Sequence, residues 1–433
     1  MNIVMREEWL SKMNQVCAES QKRTPFGRLV SGIVLGQFGY TMATIVPLII
    51  LLTFKFLEID PQNVTADFSM ATGAGALVGI IAAYIGGVVS DRTTVSFGRR
   101  RTWILIGTVL AAVALMFLGK ASTVGEVILL WCVALTFYAF SFAALSALVP
   151  DQVEEQKRGT ASGIIGLFNP IAILFGMGVM TAINDQSVDF KFTCLAGISV
   201  ICAVVSCILV KEGKPTRFTE ENPGKKLTFG EWLGRIYPNP RKYPAFSWGV
   251  LTRFLVCLAF ATQVFGALYF MQKFHVSPEE VTGIAALNAL IQTVALGVAS
   301  VIGGMLSDKF RKQKPFVSIA AVVVAIGIMV MAFAPSVPYA FLGTAILGVG
   351  YGAYIAVDMA LISRILPNPK DAAKDFGIMN VASQLPQSIV PVFAPMLIGA
   401  GGFPLFYGIL AIAGLLSAAA VAPIPEMSST PEK

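Results

Sequence analysis

Charged side chains are scarce in this sequence. Lys, Arg, Asp and Glu make up 13% of its 433 residues, about half the share that soluble domains carry. A soluble protein of this size and composition would have too few polar groups to cover its surface. The composition therefore excludes a cytosolic or secreted globular protein. Disorder is excluded as well, because 55% of the residues are apolar and disordered chains are poor in apolar residues.

Histidine and cysteine are also rare. The sequence has 1 histidine, His275, and 6 cysteines, which is too few for a disulfide framework or a metal cluster. An enzyme would need clustered acids, bases or metal ligands, and a primary pump would need a phosphate-binding glycine loop. Neither pattern occurs, so we expect a protein that is not an enzyme and that holds no cofactor.

Long apolar stretches, in contrast, are abundant. A stretch of 18 or more residues with few charges is typical of a membrane-spanning helix. Twelve of them, numbered here as spans one to twelve, predict an all-α integral membrane protein with twelve transmembrane helices: 29–54, 69–89, 102–119, 127–149, 160–183, 192–210, 247–271, 280–306, 316–334, 339–365, 376–398 and 403–422.

The basic residues predict how the chain crosses the membrane. The two ends and the connectors after the even-numbered spans hold 27 of the 32 Lys and Arg residues, and cytoplasmic loops carry such an excess. We therefore expect cytoplasmic tails over 1–28 and 423–433 and a cytoplasmic central loop over 211–246. The net charge of +7 then reflects topology, and we expect no nucleic-acid partner. The lipid bilayer of the cell membrane is the expected surrounding, and we expect a functional monomer.

An internal repeat divides the chain in two. The segment 86–92 (GGVVSDR) is echoed by 303–309 (GGMLSDK) at an offset of 217 residues, which also relates Pro150 to Pro367. We expect two six-helix halves over 29–210 and 247–422. Two halves that rock about a site near the bilayer midplane are the plan of many secondary transporters.

The loop after span two carries a resemblance to a known family. The segment 87–101, GVVSDRTTVSFGRRR, resembles the signature between spans two and three of the major facilitator superfamily. The long spacing from Arg92 to Gly98 is similar to the glycoside–pentoside–hexuronide:cation symporters and to the sucrose–proton solute-carrier branch. The resemblance implies the major facilitator fold, with spans one, four, seven and ten around a central cavity.

This signature predicts a cytoplasmic gate. An acid can bind the positive N-terminal end of a helix, and the resemblance implies that Asp91 meets the start of span eleven, near Phe376. Alternatively, the arginines serve only to fix the topology. The predicted gate residues are Asp91, Arg92, Gly98, Arg99, Arg100, Asp308 and Lys309.

Two charges fall inside predicted spans. Arg253 in span seven and Asp358 in span ten both lie roughly 10–12 Å from the cytoplasmic face at 1.5 Å per residue. Ionisable groups within the membrane are functional candidates by default. We expect the two to face each other, and Asp358 to take up a proton when Arg253 is drawn away. Two alternatives stay open: a static ion pair, and a substrate carboxylate bound by Arg253.

Polar and aromatic residues on the cavity helices are candidates for substrate contact. They are Gln37, Tyr40, Thr41, Thr44, Tyr138, Ser141, Gln263, Tyr351 and Tyr354. Aromatic faces with a few amides and hydroxyls suit a sugar. The sequence thus predicts a secondary active transporter that takes up a sugar or glycoside, driven by a gradient of protons or another cation. The alternatives are proton-coupled efflux of amphipathic drugs or metabolites, and transport of an organic anion.

Overall fold

Helices are the only regular elements in the part of the chain that the structure describes. The structure is a computed structural model that describes residues 24–95, 97–154, 157–212, 238, 240–310, 313–365 and 372–424, with no strand among them. Most of the predicted tails 1–28 and 423–433 and of the predicted loop 211–246 lies outside these residues.

The described residues form thirteen α-helices. Their bounds are α1 Phe26–Val46, α2 Leu52–Ile59, α3 Val64–Arg92, α4 Arg99–Lys120, α5 Val124–Gln152, α6 Arg158–Ala182, α7 Val188–Leu209, α8 Pro244–Phe260, α9 Gly266–Phe274, α10 Pro278–Phe310, α11 Lys314–Ala332, α12 Val337–Ile365 and α13 Ala372–Ala420.

Two of the long helical stretches change their winding in the middle. A π-helical segment, Pro47–Leu51, joins α1 to α2. Pro47 has no N–H to donate to the preceding turn, so the helix widens there. A 3₁₀ segment, Ala261–Phe265, joins α8 to α9. Predicted spans one and seven are therefore each continuous but irregular near their centres.

Side-chain caps define where two of the helices begin. Thr123 accepts a hydrogen bond from the backbone N–H of Glu126 at 3.3 Å, and the Glu126 carboxylate accepts one from the Thr123 N–H at 3.2 Å. This reciprocal pair satisfies two backbone donors at the start of α5. Ser187 accepts from the Phe190 N–H at 3.3 Å and caps α7 in the same manner.

Eleven helical stretches of the described residues are long and apolar enough to cross a membrane. Ten of them correspond to predicted spans one to ten. The eleventh, Ile378–Ala420, takes in predicted spans eleven and twelve. Within it Gly401 and Gly402 depart from helical geometry, and Gly402 has a φ of +67°, which glycine adopts without steric cost. The predicted all-helical fold is confirmed, whereas the count differs from twelve because α13 runs through this break.

Close helix packing depends on glycines. A Cβ atom added at Gly352 of α12 would lie 2.2 Å from the Leu296 carbonyl oxygen of α10, and one at Gly350 would lie 2.6 Å from the Val324 nitrogen of α11. In α1, a Cβ at Gly39 would lie 2.6 Å from the Cβ of Cys202 in α7. Small residues at such positions let helix backbones approach closely, as in membrane helix interfaces generally.

The chain divides into two compact units. The first takes the described residues of Met1–Pro47, Val78–Gly176 and Ser187–Glu220, and the second those of Leu48–Leu77, Met177–Gln186 and Glu221–Lys433. The second unit thus includes α2, the first part of α3 and the last part of α6. The candidate ion pair lies in the second unit, and the segment 87–101 lies in the first.

Candidate functional site

The second unit brings Arg253 and Asp358 together. Arg253 Nη1 of α8 lies 3.2 Å from Asp358 Oδ2 of α12, with side chains 18% and 6% exposed. Both residues fall in apolar helices, where an isolated charge would be costly. The two charges therefore compensate each other in a largely buried setting.

Each partner of the pair has a second hydrogen bond that fixes its position. Arg253 Nε donates to Ser383 Oγ of α13 at 2.6 Å, and Ser383 Oγ donates to the Met379 carbonyl at 3.0 Å. Tyr354 OH donates to Asp358 Oδ1 at 2.9 Å. The carboxylate therefore has a partner at each oxygen. The guanidinium links α8, α12 and α13, a role that its planar fork of donors suits.

This arrangement can respond to protonation. While the guanidinium stays at 3.2 Å, the carboxylate is stabilised in its charged form. Withdrawal of the guanidinium would leave a buried negative charge without compensation, and such a charge favours the protonated form. A movement of α8 or α13 relative to α12 could therefore be linked to proton uptake at Asp358.

Stacked aromatic rings lie next to the ion pair of Arg253 and Asp358. The rings of Phe260 and Tyr351 stack with centroids 3.7 Å apart and an interplanar angle of 9°, and Tyr351 lies 6.3 Å from Tyr354 at an angle of 11°. Tyr351, Tyr354 and Asp358 share one face of α12, because residues three and seven positions apart lie on the same side of a helix. Of the predicted cavity residues, Tyr351 and Tyr354 are therefore placed at the ion pair.

Two predicted cavity residues have buried amide atoms without a hydrogen-bond partner. They are Gln263 Nε2 in the 3₁₀ segment of the second unit and Gln37 Oε1 in α1 of the first unit. Leaving such atoms unpaired costs free energy. Each amide therefore has hydrogen-bonding capacity that its buried surroundings leave unused.

The remaining cavity candidates of the first unit bond mainly to neighbouring helices. Tyr138 OH lies 2.9 Å from Ser199 Oγ, and Ser141 Oγ lies 2.9 Å from Thr108 Oγ1. The other polar contacts are Thr41 Oγ1 to Asn169 Oδ1 at 3.2 Å and Thr44 Oγ1 to the Tyr40 carbonyl at 2.8 Å. The Tyr40 ring stacks on Phe142 at 4.8 Å. Ser141 occupies the position 217 before Asp358 and holds α5 against α4.

Arg100 is the centre of a charged cluster in the first unit. Its side chain is 5% exposed and contacts Asp91 at 2.6 Å and Asp151 at 2.9 Å. Arg100 Nη1 donates to Ser90 Oγ at 3.0 Å, and Arg99 pairs with Asp151 at 2.8 Å. Asp91, the acid of the predicted gate, is thus bonded to an arginine of the same signature. The sequence pattern did not identify Asp151, although it directly follows Pro150.

Glu212 is a second residue that the sequence pattern did not identify. Its carboxylate accepts from the backbone N–H groups of Arg100 at 3.0 Å and Arg101 at 3.1 Å, which begin α4. Gly98, the preceding cap residue, has a φ of +116°, and a Cβ there would lie 2.2 Å from Glu212 Oε2. Burial raises the pKa of the Glu212 carboxyl above its usual value, while both N–H groups favour its charged form.

The other predicted gate residues lie near the ends of helices. Arg92 is the last residue of α3, and its side chain is exposed. Lys309 is exposed near the end of α10, whereas the side chain of Asp308 lies outside the described part of the chain. The side chain of Phe376, where span eleven begins, lies outside it too.

Comparison with protein families gives one match that covers nearly the whole chain. The model of the Major Facilitator Superfamily matches residues 29–271 and 249–432. The lactose permease of Lactobacillus helveticus is 28% identical over 234 residues, which are 47% of this chain and 35% of the permease. A sucrose transport protein of Arabidopsis thaliana is 25% identical over 401 residues, 76% of this chain and 77% of that protein. This chain therefore spans about a third of the length of the lactose permease.

Solved structures share the fold at low sequence identity. The nucleoside transporter NupG has a TM-score of 0.69 at 14% identity, over 92% of this chain and 98% of that chain. A D-xylose-proton symporter has a TM-score of 0.67 at 17% identity, over 92% of this chain and 97% of that chain. At such identities the likeness concerns the fold.

Proposed function

The chain belongs to the major facilitator superfamily, and we propose that it is a proton-coupled symporter of a sugar or glycoside. Membership in the superfamily confirms three predictions. The chain resembles this family, it is a transporter and not an enzyme, and it crosses the membrane several times. We place the protein in the cell membrane as a functional monomer that binds a small-molecule substrate.

The proposal of proton coupling rests on the contact between Arg253 and Asp358. A structural ion pair would need only the 3.2 Å contact. Here the two partners belong to different helices. Arg253 is also bonded to Ser383, and Asp358 is also bonded to Tyr354. A rearrangement that separates α8 from α12 would therefore change the charge balance at Asp358. We infer that this carboxyl is the proton site, and the first unit has a serine, Ser141, at the corresponding position.

A sugar is the substrate class that the site chemistry favours. The unpaired amide nitrogen of Gln263 can bind a hydroxyl group, and in the same unit the rings of Phe260 and Tyr351 offer an aromatic surface for an apolar sugar face. The matched relatives include a lactose permease and a sucrose transport protein. Arg253, in contrast, is already paired, so an organic anion would have to compete with Asp358.

We propose alternating access by two six-helix halves with both ends in the cytoplasm. The twelfth span arises if α13 is divided at Gly401 and Gly402, where the backbone is not helical. Within the second unit, residues of the two halves meet on the side away from the basic connectors. Gln272 Nε2 donates to Thr65 Oγ1 at 2.9 Å, and the rings of Phe68 and Phe265 lie 5.5 Å apart.

The cluster around Arg100 supports the proposed cytoplasmic gate. Asp91 is 58% exposed and bonds to Arg100 through Oδ1, so the carboxylate can also meet a second positive group. We propose that Asp91 binds the N-terminal end of the helix that contains Phe376 in one state and releases it in another. Arg99 and Arg100 would hold Asp91 and Asp151 in place.

The function can be tested with purified protein in liposomes. An inward proton gradient is imposed, and uptake of labelled lactose, sucrose and xylose is measured beside extrusion of a cationic dye and uptake of a labelled organic anion. We expect one of the sugars to accumulate above its outside concentration and to leave when a protonophore removes the gradient. Dye extrusion or anion uptake without uptake of any sugar would contradict the proposal, and empty liposomes serve as the control.

A further inference from the structure

A groove of about 530 Å³ runs along the second unit between α10, α11 and α12. One of its walls is a stripe on α10 whose members recur every four residues and are 39–55% exposed: Val294, Val298, Ile302 and Leu306. Residues four apart lie above one another on a helix. The stripe is therefore a continuous apolar wall along the helix axis.

Small residues form the floor of the groove. They lie one position after the stripe and recur at the same interval: Ala295, Ala299 and Gly303. Beneath them α12 packs closely. A Cβ atom added at Gly348 of α12 would lie only 3.0 Å from the Cβ of Ala295. Phe316, Ile319 and Val323 of α11 line the opposite wall. The small side chains of α10 thus leave space between its apolar stripe and α11.

The length of the groove matches one leaflet of a bilayer. From Val294 to Leu306 the stripe rises about 18 Å at 1.5 Å per residue, and half of a bilayer's hydrocarbon core measures about 15 Å. Leu306 lies near the end of α10 that leads into a basic connector, and basic connectors are cytoplasmic. An acyl chain of the cytoplasmic leaflet would fit this length.

Positive charge lies at the end of the groove where a headgroup would be. Lys309 is exposed and lies three residues beyond Leu306 on α10. Lys314 begins α11, but its Nζ donates to the Ala422 carbonyl that follows α13, so its charge is directed away from the groove. In the sequence 309–314, four of the six residues are Lys or Arg. Basic groups between membrane helices on the cytoplasmic side attract anionic lipid headgroups.

We propose that this groove binds an anionic phospholipid of the cytoplasmic leaflet. One acyl chain lies along the α10 stripe, and the phosphate group is held by Lys309. A neutral lipid or an apolar small molecule would use the groove without this lysine. A second copy of the chain would cover it without any lipid. The proposed lipid is distinguished from these occupants by its dependence on charge.

The test is native mass spectrometry of the full protein in detergent with added phosphatidylglycerol or phosphatidylcholine. We expect one phosphatidylglycerol to be retained at a lower lipid concentration than phosphatidylcholine. In the variant Lys309→Gln the affinity for phosphatidylglycerol should fall about fivefold. The control is Lys157→Gln, which removes an exposed lysine that pairs with Glu154 in the first unit. It should retain the lipid as the unchanged protein does.

A second variant tests the groove itself. Ala299→Leu, which narrows the floor, should reduce retention of phosphatidylglycerol, whereas Ile201→Phe on the exposed face of α7 should not. The lysine variant keeps the test valid should the leucine variant fail to fold, since Lys309 is exposed and lies next to the last residue of α10. Equal retention of both lipids, unchanged retention in the lysine variant, or a dimer without lipid would overturn the proposal.

Discussion

Among single residues, Arg253 and Asp358 matter most to the proposed proton coupling. Their contact at 3.2 Å is formed within helices that are otherwise apolar. The opposite charge of each partner offsets the cost of burying the other. Removal of one partner from a buried pair is far more costly than removal of both, because the remaining charge is left uncompensated.

This difference gives a prediction about stability. Arg253→Met should lower the free energy of unfolding by about 3–5 kcal/mol, because Asp358 is left as an unpaired buried acid. The double variant Arg253→Met/Asp358→Asn should regain most of the loss. Thermal unfolding in detergent measures both, and Ser383→Ala, which removes the bond to Arg253 Nε but keeps both charges, should cost less than Arg253→Met. Equal midpoints for the single and the double variant would contradict a pair that compensates charge.

A second prediction concerns Gly98. Its φ of +116° places it where a side chain is strained, and a Cβ would meet the Glu212 carboxylate. Gly98→Ala should therefore cost about 1–3 kcal/mol of stability and displace Glu212 from the start of α4. Gly79→Ala, with nothing within 4 Å of the added atom, is the matched control in the same unfolding measurement. A midpoint for Gly98→Ala equal to that control would refute the account.

At the scale of elements, side chains from one helix often complete the end of another. The carboxylate of Glu212, which follows α7, caps α4. At the end of α11, Lys273 Nζ of α9 donates to the carbonyls of Met331 at 3.0 Å and Ala332 at 2.7 Å. The last carbonyls of a helix have no partner within it, and a cation there is favoured by the helix dipole.

Loss of this cap should be measurable. Lys273→Met keeps the apolar part of the side chain but leaves two carbonyls without their donor, so we expect a loss of about 1–3 kcal/mol. The control is Lys120→Met, because Lys120 is the exposed last residue of its own helix α4. Unfolding midpoints of the two variants are compared. A larger effect at Lys120 than at Lys273 would show that Lys273 does not stabilise the end of α11.

At the scale of the whole molecule, the gate can be tested through transport. Asp91→Asn removes the charge that bonds to Arg100, and we expect slower transport with substrate binding unchanged. Asp60→Asn is the control, since Asp60 lies in the connector between α2 and α3 and bonds only to its neighbours Gln62 and Asn63 among the contacts described. Unchanged transport rates in Asp91→Asn would show that Asp91 has no role in gating.

The helices and the membrane class could be predicted from the sequence because hydropathy is a local property. Arg253 and Asp358 could be singled out in the same way, as charges within apolar runs. Glu212 and Asp151 could not, because they contact Arg100 across 112 and 51 positions, and only the tertiary structure brings them together. Tyr138 and Ser141 look like cavity residues by type, yet their hydroxyl groups bond between helices.

In the proposed mechanism, Asp358 couples the proton gradient to substrate movement. The most direct measurement is uptake of the transported sugar by liposomes that contain Asp358→Asn, with and without a proton gradient, beside exchange of labelled for unlabelled sugar. We expect exchange to continue while gradient-driven accumulation is lost, because the amide cannot take up and release the proton. Accumulation by Asp358→Asn equal to that of the unchanged protein would contradict it.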